Sequence, residues 1–390
     1  MGETVSPQRV QGSSQTLIQT AVPSVRVARV VPDVTGVDKT FDYLVPDALH
    51  DQVRVGVRVR VPLHGRNVAG WVVEIGEPSE GLAVSKIRSV IKVLGLGVTQ
   101  EIVNLANWGT KRWVGRLRSF ISTAAPATLI SKVPTARYMP RSIKHVSNAV
   151  EMLKEFGSGL ITVAPLTNLA PMISAIACDG PTIVVMPTQH RAKLLSAALK
   201  ANNFSVASWP QDWAMALGGV DVVVGTRSAV WAPVARFSNI VVVDEHDDLL
   251  QEERSPTWHA RDVAIERAAR SDANCILLSP IPSLSARKWA GDRVVFDAQN
   301  PWPVIKVVDR NKDEQWSRSL ISSELITELR DKSRRVICVY NSKGRARLIA
   351  CGSCRTVLRC EKCDAALGQR DKETLECPRC SEVRPVICQI

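Results

Sequence analysis

Seven of the ten cysteines fall between Cys351 and Cys388, as three CxxC pairs and one further thiol. The pairs are Cys351 with Cys354, Cys360 with Cys363, and Cys377 with Cys380, and Cys388 follows them. Zinc takes four soft, deprotonated ligands in a tetrahedron, and a CxxC turn presents two thiolates to one ion. Cys360, Cys363, Cys377 and Cys380 therefore predict one complete site, and a small module held by metal rather than by a large core. Cys351 and Cys354 have a third ligand in Cys388. The chain ends at Ile390, one residue before the position of a CxxC mate for Cys388, so this outer site is expected to be incomplete. Whether it holds metal stays open at this point. The other three cysteines stand singly. Cys275 and Cys338 lie in apolar, strand-like runs, which predicts buried free thiols.

Ahead of the cysteines the texture is that of a folded protein, with 45% hydrophobic and 23% charged residues. No run approaches the ~18 apolar residues of a membrane span, and residues 1–22 offer no signal-peptide core. That segment predicts a disordered tail and a cytoplasmic protein without membrane contact, in whose reducing medium CxxC pairs bind metal rather than form disulfides. From 23 to 97 short alternating runs broken by Pro, Gly and Asp predict a β-rich, barrel-like domain. Within it, GVRVRVPLHGRNVAGWVVEIG predicts a hairpin turning near His64–Asn67.

Residues 98–157 read as a basic helix and linker. Positions 102–150 contain no Asp or Glu, and Trp108, Trp113, Phe120 and Tyr138 lie among the Lys and Arg. Aromatics with cations suit single-stranded nucleic acid, on which bases stack and phosphates pair. Tryptophans in a core beside a solvated linker are the alternative. The net charge of +12 favours a polyanionic partner.

From 158 strand-like runs alternate with helices: TIVVMP, VDVVVG, NIVVVDE, NCILLS, then PVIKVVD (303–309) and RVICVY (335–340). This predicts an α/β lobe over 158–310, with a parallel sheet covered on both faces, and the start of a second lobe over 311–350. The cysteine module occupies 351–390. Asp244 and Glu245 end an apolar strand, where nucleoside triphosphatases hold Mg²⁺ and polarise water. The companion Gly-rich loop should lie near LITVAPLTNLAPM (160–172), which has neither Gly nor Lys. His259, in TWHARD, is assigned no role.

Together TFDYLVP, VGVRVRVPLHGRNVAGWVVEI, VVVGTRSAVWAPVARFSNIVVVDE, HARDVAIERA and VYNSKGRAR with the CxxC array resemble the PriA family of bacterial replication-restart proteins, superfamily 2 DNA helicases. The resemblance runs from about Val25 onward. It implies a 3′-end DNA-binding domain, a RecA-like first helicase lobe and a zinc-binding module. Phe41 and Asp42 would line a pocket for a free 3′ terminus, the hairpin at His64 and Gly65 would flank it, and Arg88 would make a basic contact. It also implies nested zinc sites, the inner four cysteines and the outer pair with the last.

Against the family pattern, Leu169 stands about where the phosphate-loop Lys belongs, and the acidic box reads Asp244-Glu245-His246-Asp247. No second helicase lobe or winged-helix insertion is evident, and the chain reads as truncated. These departures argue against ATP binding and ATP-driven translocation. The expected function is that of a replication-restart factor that binds forked DNA, 3′ ends and single strands and helps reload the replicative helicase. Its expected partners are other primosome proteins and single-strand-binding protein. The alternatives are an active 3′-5′ helicase with an unusual phosphate site, or a zinc-module scaffold that does not bind DNA.

Overall fold

The computed structural model describes residues 26–140, 150–151, 155–297, 302–309, 321–339 and 349–388. The expected N-terminal tail lies outside the described residues. The chain divides into two compact units at the Pro303–Val304 bond.

The first unit begins with five antiparallel strands, β1 (Val27–Pro32), β2 (Phe41–Leu44), β3 (Arg58–Leu63), β4 (Arg66–Gly76) and β5 (Lys92–Gly95), in the order β2-β1-β4-β3-β5. The two edges are joined by the segment before β5. Leu44 N donates to Arg88 O at 3.0 Å, Val90 N to Leu44 O at 2.9 Å and Ile91 N to Arg60 O at 2.9 Å. The sheet thus closes into a barrel, which removes its exposed edges. Alternate β-branched residues fill it, including Val30, Val57, Val59, Val61 and Val72. The β3–β4 turn is two residues long. His64 and Gly65 both have positive φ (46° and 75°), as a right-twisted two-residue hairpin requires.

Helices α1 (Gln100–Trp113) and α2 (Leu117–Ala124) follow. Thr99 caps α1, its hydroxyl accepting from Ile102 N at 3.2 Å. Seven parallel strands come next: β6 (Gly159–Thr162), β7 (Thr182–Val185), β8 (Val206–Ser208), β9 (Val222–Gly225), β10 (Asn239–Val243), β11 (Asn274–Ser279) and β12 (Val294–Phe296). Their order is β12-β6-β11-β10-β7-β9-β8. Both faces are covered, which is why these strands read as unbroken apolar runs. Val184, Val241 and Val243 pack under α3 (Ala170–Cys178) and α4 (Gln189–Ala201). Ile183, Val185, Ile240 and Val242 pack with α1, α2 and α6 (Ala260–Arg270). The short helices α5 (Trp213–Gly218) and α7 (Leu284–Ala290) complete the layer.

This packing decides between the two readings of the basic segment. Phe120 is buried, and Trp108, Trp113, Phe120, Trp231 and Trp258 form a chain of ring contacts with centroids 5.0–6.3 Å apart. These aromatics are core, not a platform for bases. Residues 126–140 run extended. Arg137 N donates to Gly219 O at 2.8 Å, and Met139 N to the buried Asp221 carboxylate at 3.0 Å.

Barrel and lobe share one core. Trp71 of β4 sits in the cluster beneath α1, and Asp33 bridges Arg58 of β3 (2.7 Å) and Arg118 of α2 (2.7 Å). Gly56 is required here: at φ +89° a Cβ would lie 1.7 Å from Val98 O.

In the second unit two expectations are corrected. The described parts of 303–309 and 335–340 form no strand, and Val304, Ile305, Ile337 and Val339 are exposed. Cys338 is therefore exposed, not buried; Cys275, inside β11, is buried as expected. An apolar run gains strand structure only where another strand pairs with it and a layer covers it. Among the described residues these two runs have neither. Between them lies α8 (Ser323–Arg330), with no buried residue. The module beyond has a three-stranded sheet, β13 (Gly368–Gln369), β14 (Thr374–Glu376) and β15 (Val383–Pro385), over Leu358, Leu367 and Leu375.

Candidate functional site

Each CxxC pair is built on the same turn. The N–H of the residue four after the first cysteine donates back to that cysteine's carbonyl: Arg355 to Cys351 (2.9 Å), Asp364 to Cys360 (2.8 Å) and Ser381 to Cys377 (2.9 Å). Those residues all take positive φ, 58–61°. The fold thus curls the backbone around each pair so that both sulfurs face one point. Cys360, Cys363, Cys377 and Cys380 bring four Sγ atoms within 4.8 Å of one another, and Cys351, Cys354 and Cys388 bring three.

The backbone N–H groups of Cys380 and Arg379 draw the Cys377 thiol down to about 6, so it ionises readily. The Thr356 hydroxyl and amide do the same for Cys354. Such a donor set suits a soft divalent ion and is compatible with zinc.

The acidic box ends β10. Glu245 is fully buried and accepts from Ser283 N (2.6 Å), Ser283 Oγ (2.8 Å) and Arg261 Nη1 (3.0 Å). Asp244 pairs with Arg191 of α4. A cleft of about 440 Å³ opens beside them, against the loop 163–169. Some of the donors there are used locally. Thr167 N donates to Ala164 O (3.2 Å), Ala170 N to Asn168 Oδ1 (3.2 Å), and Pro171 has no N–H. The cleft's one guanidinium is already held by Asp244. A paired cation beside a loop with neither Gly nor Lys does not fit a magnesium-bound triphosphate, which needs an unpaired cation and closely approaching amides.

His259 proves to be the N-cap of α6, its Nδ1 accepting from Arg261 N at 3.1 Å. Burial, then the Arg261 charge, holds its pKa below the ordinary histidine value. Below about pH 6.5 the unfolded chain therefore binds more protons than the folded one, and stability falls as pH falls. His259→Asn keeps the cap acceptor and removes the titration. The drop in melting temperature between pH ~7.5 and ~5.5 is expected to be smaller in this variant than in the parent. Equal drops would show that His259 plays no part.

The barrel residues singled out in the sequence are only partly brought together. Tyr43 points inward, and its hydroxyl donates to Pro62 O at 3.0 Å, binding β2 to the base of the His64–Gly65 hairpin. Arg88 is exposed beside β2 through its carbonyl bond to Leu44, and its charge lowers the Tyr43 pKa that burial raises. Phe41 packs toward the barrel interior. Asp42, next along the strand, faces outward. Its carboxylate accepts from Arg29 Nε (3.1 Å) and Ser79 N (2.8 Å). Burial opposes its ionisation, but the Ser79 and Arg29 hydrogen bonds win and hold its pKa below the usual range. Tyr43, Arg29 and Ser79 were not singled out in the sequence. The FDY triplet was the only signal for Tyr43, and nothing local marks the other two.

Residues 29–126, the barrel with α1 and α2, match the family model of the 3′DNA-binding domain (3′BD) of PriA. The replication restart protein PriA of Rickettsia conorii is 25% identical over 91% of this chain and 60% of its own length. The likeness to PriA proteins thus extends over nine tenths of the chain. The probable replication restart protein PriA of Mycobacterium leprae is 27% identical over 91% of this chain and 64% of its own. PriA of Synechocystis is 32% identical over 44% and 24%. The chain spans about three fifths of the length of the first relatives it matches. Among the described residues no helix is long and apolar enough to cross a membrane.

Proposed function

We propose that this chain is a replication-restart factor that binds branched DNA at stalled forks, holds the nascent 3′ end on its barrel and helps reload the replicative helicase. The observation that carries it is the 3′DNA-binding match over residues 29–126, on a barrel that gathers Tyr43, the His64–Gly65 hairpin and Arg88 at β2. Arg88 holds a terminal phosphate, and Asp42, kept ionised, accepts from a 3′-hydroxyl or a base amine. Phe41 stiffens the strand that carries Asp42. The domains are those set out from the sequence, with a RecA-like lobe at its centre.

The inner cysteines bind zinc, and the module contacts single-stranded DNA, single-strand-binding protein or primosome partners. The lobe serves as a scaffold without ATP turnover. What supports this is the Arg191–Asp244 pair and a 163–169 loop that has neither Gly nor Lys.

Fluorescence anisotropy with forked DNA tests the reading. A fork with a 3′-hydroxyl is expected to bind about tenfold tighter than one with a 3′-phosphate. Asp42→Asn should erase most of that difference, Arg88→Ala should weaken binding of both forks, and affinity should fall steeply with salt. The same samples are expected to show no DNA-stimulated ATP hydrolysis. Binding indifferent to salt and to the 3′ end would overturn the DNA reading, and ATP turnover lost in Asp244→Ala would overturn the scaffold reading.

A further inference from the structure

Within the barrel two stretches lack carboxylates, residues 52–73 and 81–100. Neither stands out in the sequence, because acids lie between them and beyond their outer ends. The sheet lays them side by side. β3 is flanked by β4 and β5, so the first stretch meets the second along the β3–β5 ladder.

In that ladder Arg60 is directly opposite Lys92. The neighbours of Arg60 along the strand, Val59 and Val61, point into the barrel at 0% exposure, so Arg60 points out. Lys92 is exposed beside it, and Arg66 is exposed at the hairpin end of the same ribbon. Like charges directly opposite on one face destabilise a sheet, so a chain gains nothing in folding from this pair.

Elsewhere on the barrel Arg29 is neutralised by Asp42 and Glu74, and Arg58 by Asp33. Among the described residues no carboxylate pairs with Arg60, Arg66, Arg88 or Lys92. Of these, Arg60, Arg66 and Lys92 lie together on β3, β4 and β5.

We propose that this outer face, centred on Arg60 and Lys92 with Arg66 at its end, is a phosphate track for the duplex arm adjoining the bound 3′ end. It rests on the DNA reading above and extends it from the end of the strand to its backbone. Complementary charge selects the occupant: a duplex presents one phosphate per about 3.4 Å of each strand, dense enough to meet cations on adjacent β-strands. A backbone track carries no sequence preference, and what it supplies is register and salt-dependent affinity.

The test uses the full chain and forked DNA ending in a 3′-hydroxyl or a 3′-phosphate, titrated from about 50 to 200 mM salt. In the Arg60→Ser/Lys92→Ser variant the slope of log affinity against log salt should fall by about 2, since each lost phosphate contact removes ~0.9. Affinity should drop about tenfold or more on both forks alike at the lower salt, leaving their ratio unchanged. The charge-keeping Arg60→Lys/Lys92→Arg exchange should retain the slope. A melting temperature no lower than the parent's shows that the loss is not one of folding.

An unchanged slope in a parent that distinguishes the two forks overturns the track alone. A parent blind to the 3′ end whose slope nevertheless falls in the variant overturns end recognition and supports the track. Binding to phosphatidylserine vesicles but not to DNA overturns both.

Discussion

Replacing Cys360 by serine is expected to unfold residues 349–388 and leave residues 26–297 folded. The module's apolar core is small, with Leu358, Leu367 and Leu375 packed around Cys360 and Cys377 themselves. So few side chains do not offset the backbone entropy of ordering the segment. Ligand binding must supply the difference, and apparent binding free energies of structural zinc in small modules are on the order of 10–16 kcal/mol. Losing one of four ligands removes most of that. Metal content by mass spectrometry should fall by one ion per chain, and module signals in an ¹H–¹⁵N spectrum should collapse to unfolded positions. A strong chelator should do the same to the parent. The same changes at Cys388 are expected to be much weaker, since its cluster holds three thiols rather than four. A Cys360→Ser chain with full metal content and a dispersed module spectrum would refute the assignment.

The second large effect concerns the join between barrel and lobe. Arg267 is fully buried. It binds Glu101 through two bonds, Nε at 3.0 Å and Nη2 at 2.9 Å, and donates to Val230 O (2.6 Å) and Ala232 O (2.9 Å). Its guanidinium also lies over the Phe237 ring, 4.9 Å from the centroid. Burial works against its charge, and Glu101 restores it. Glu101→Ala would leave that cation buried without a counter-charge, a loss of about 3–5 kcal/mol. The pair itself contributes much less, so Glu101→Leu combined with Arg267→Met should recover most of the stability. Urea unfolding measures both. A Glu101→Ala loss below about 1 kcal/mol would mean that water reaches the guanidinium.

How far each feature could be read from the sequence follows the range of the forces behind it. The cysteine sites were legible because their geometry is set within four residues by a repeated turn. The strands of the large sheet were legible because burial on both faces leaves no alternation. The hairpin at His64 and Gly65 was legible because two residues of positive φ between alternating strands admit few other turns.

Other features were not. PVIKVVD and RVICVY carry the same apolar pattern as the true strands, yet their described residues pair with nothing and leave Cys338 in solvent. Pattern reports that a segment can be buried, not that anything buries it. The tryptophans of α1 suited both a core and a base-stacking platform, and only the ring contacts leading from them through Phe120 to Trp231 and Trp258 chose between them. Arg191 gave no sign of meeting Asp244, nor Arg29 of meeting Asp42, because each pair joins separate elements.

By itself, then, the chain's sequence indicated most of the element types, the hairpin turn and the CxxC turns, all products of contacts between near neighbours. Only the tertiary structure decided which charges cancel and which stand free. Arg29, Arg58, Arg191 and Arg267 look like any other basic residue in the sequence, and each meets a carboxylate brought from a distant segment. Arg60 and Lys92 are left facing each other by strand register. A net charge of +12 is a sum over the chain. The field that a partner meets depends on where that charge is placed, and placement is a property of the fold.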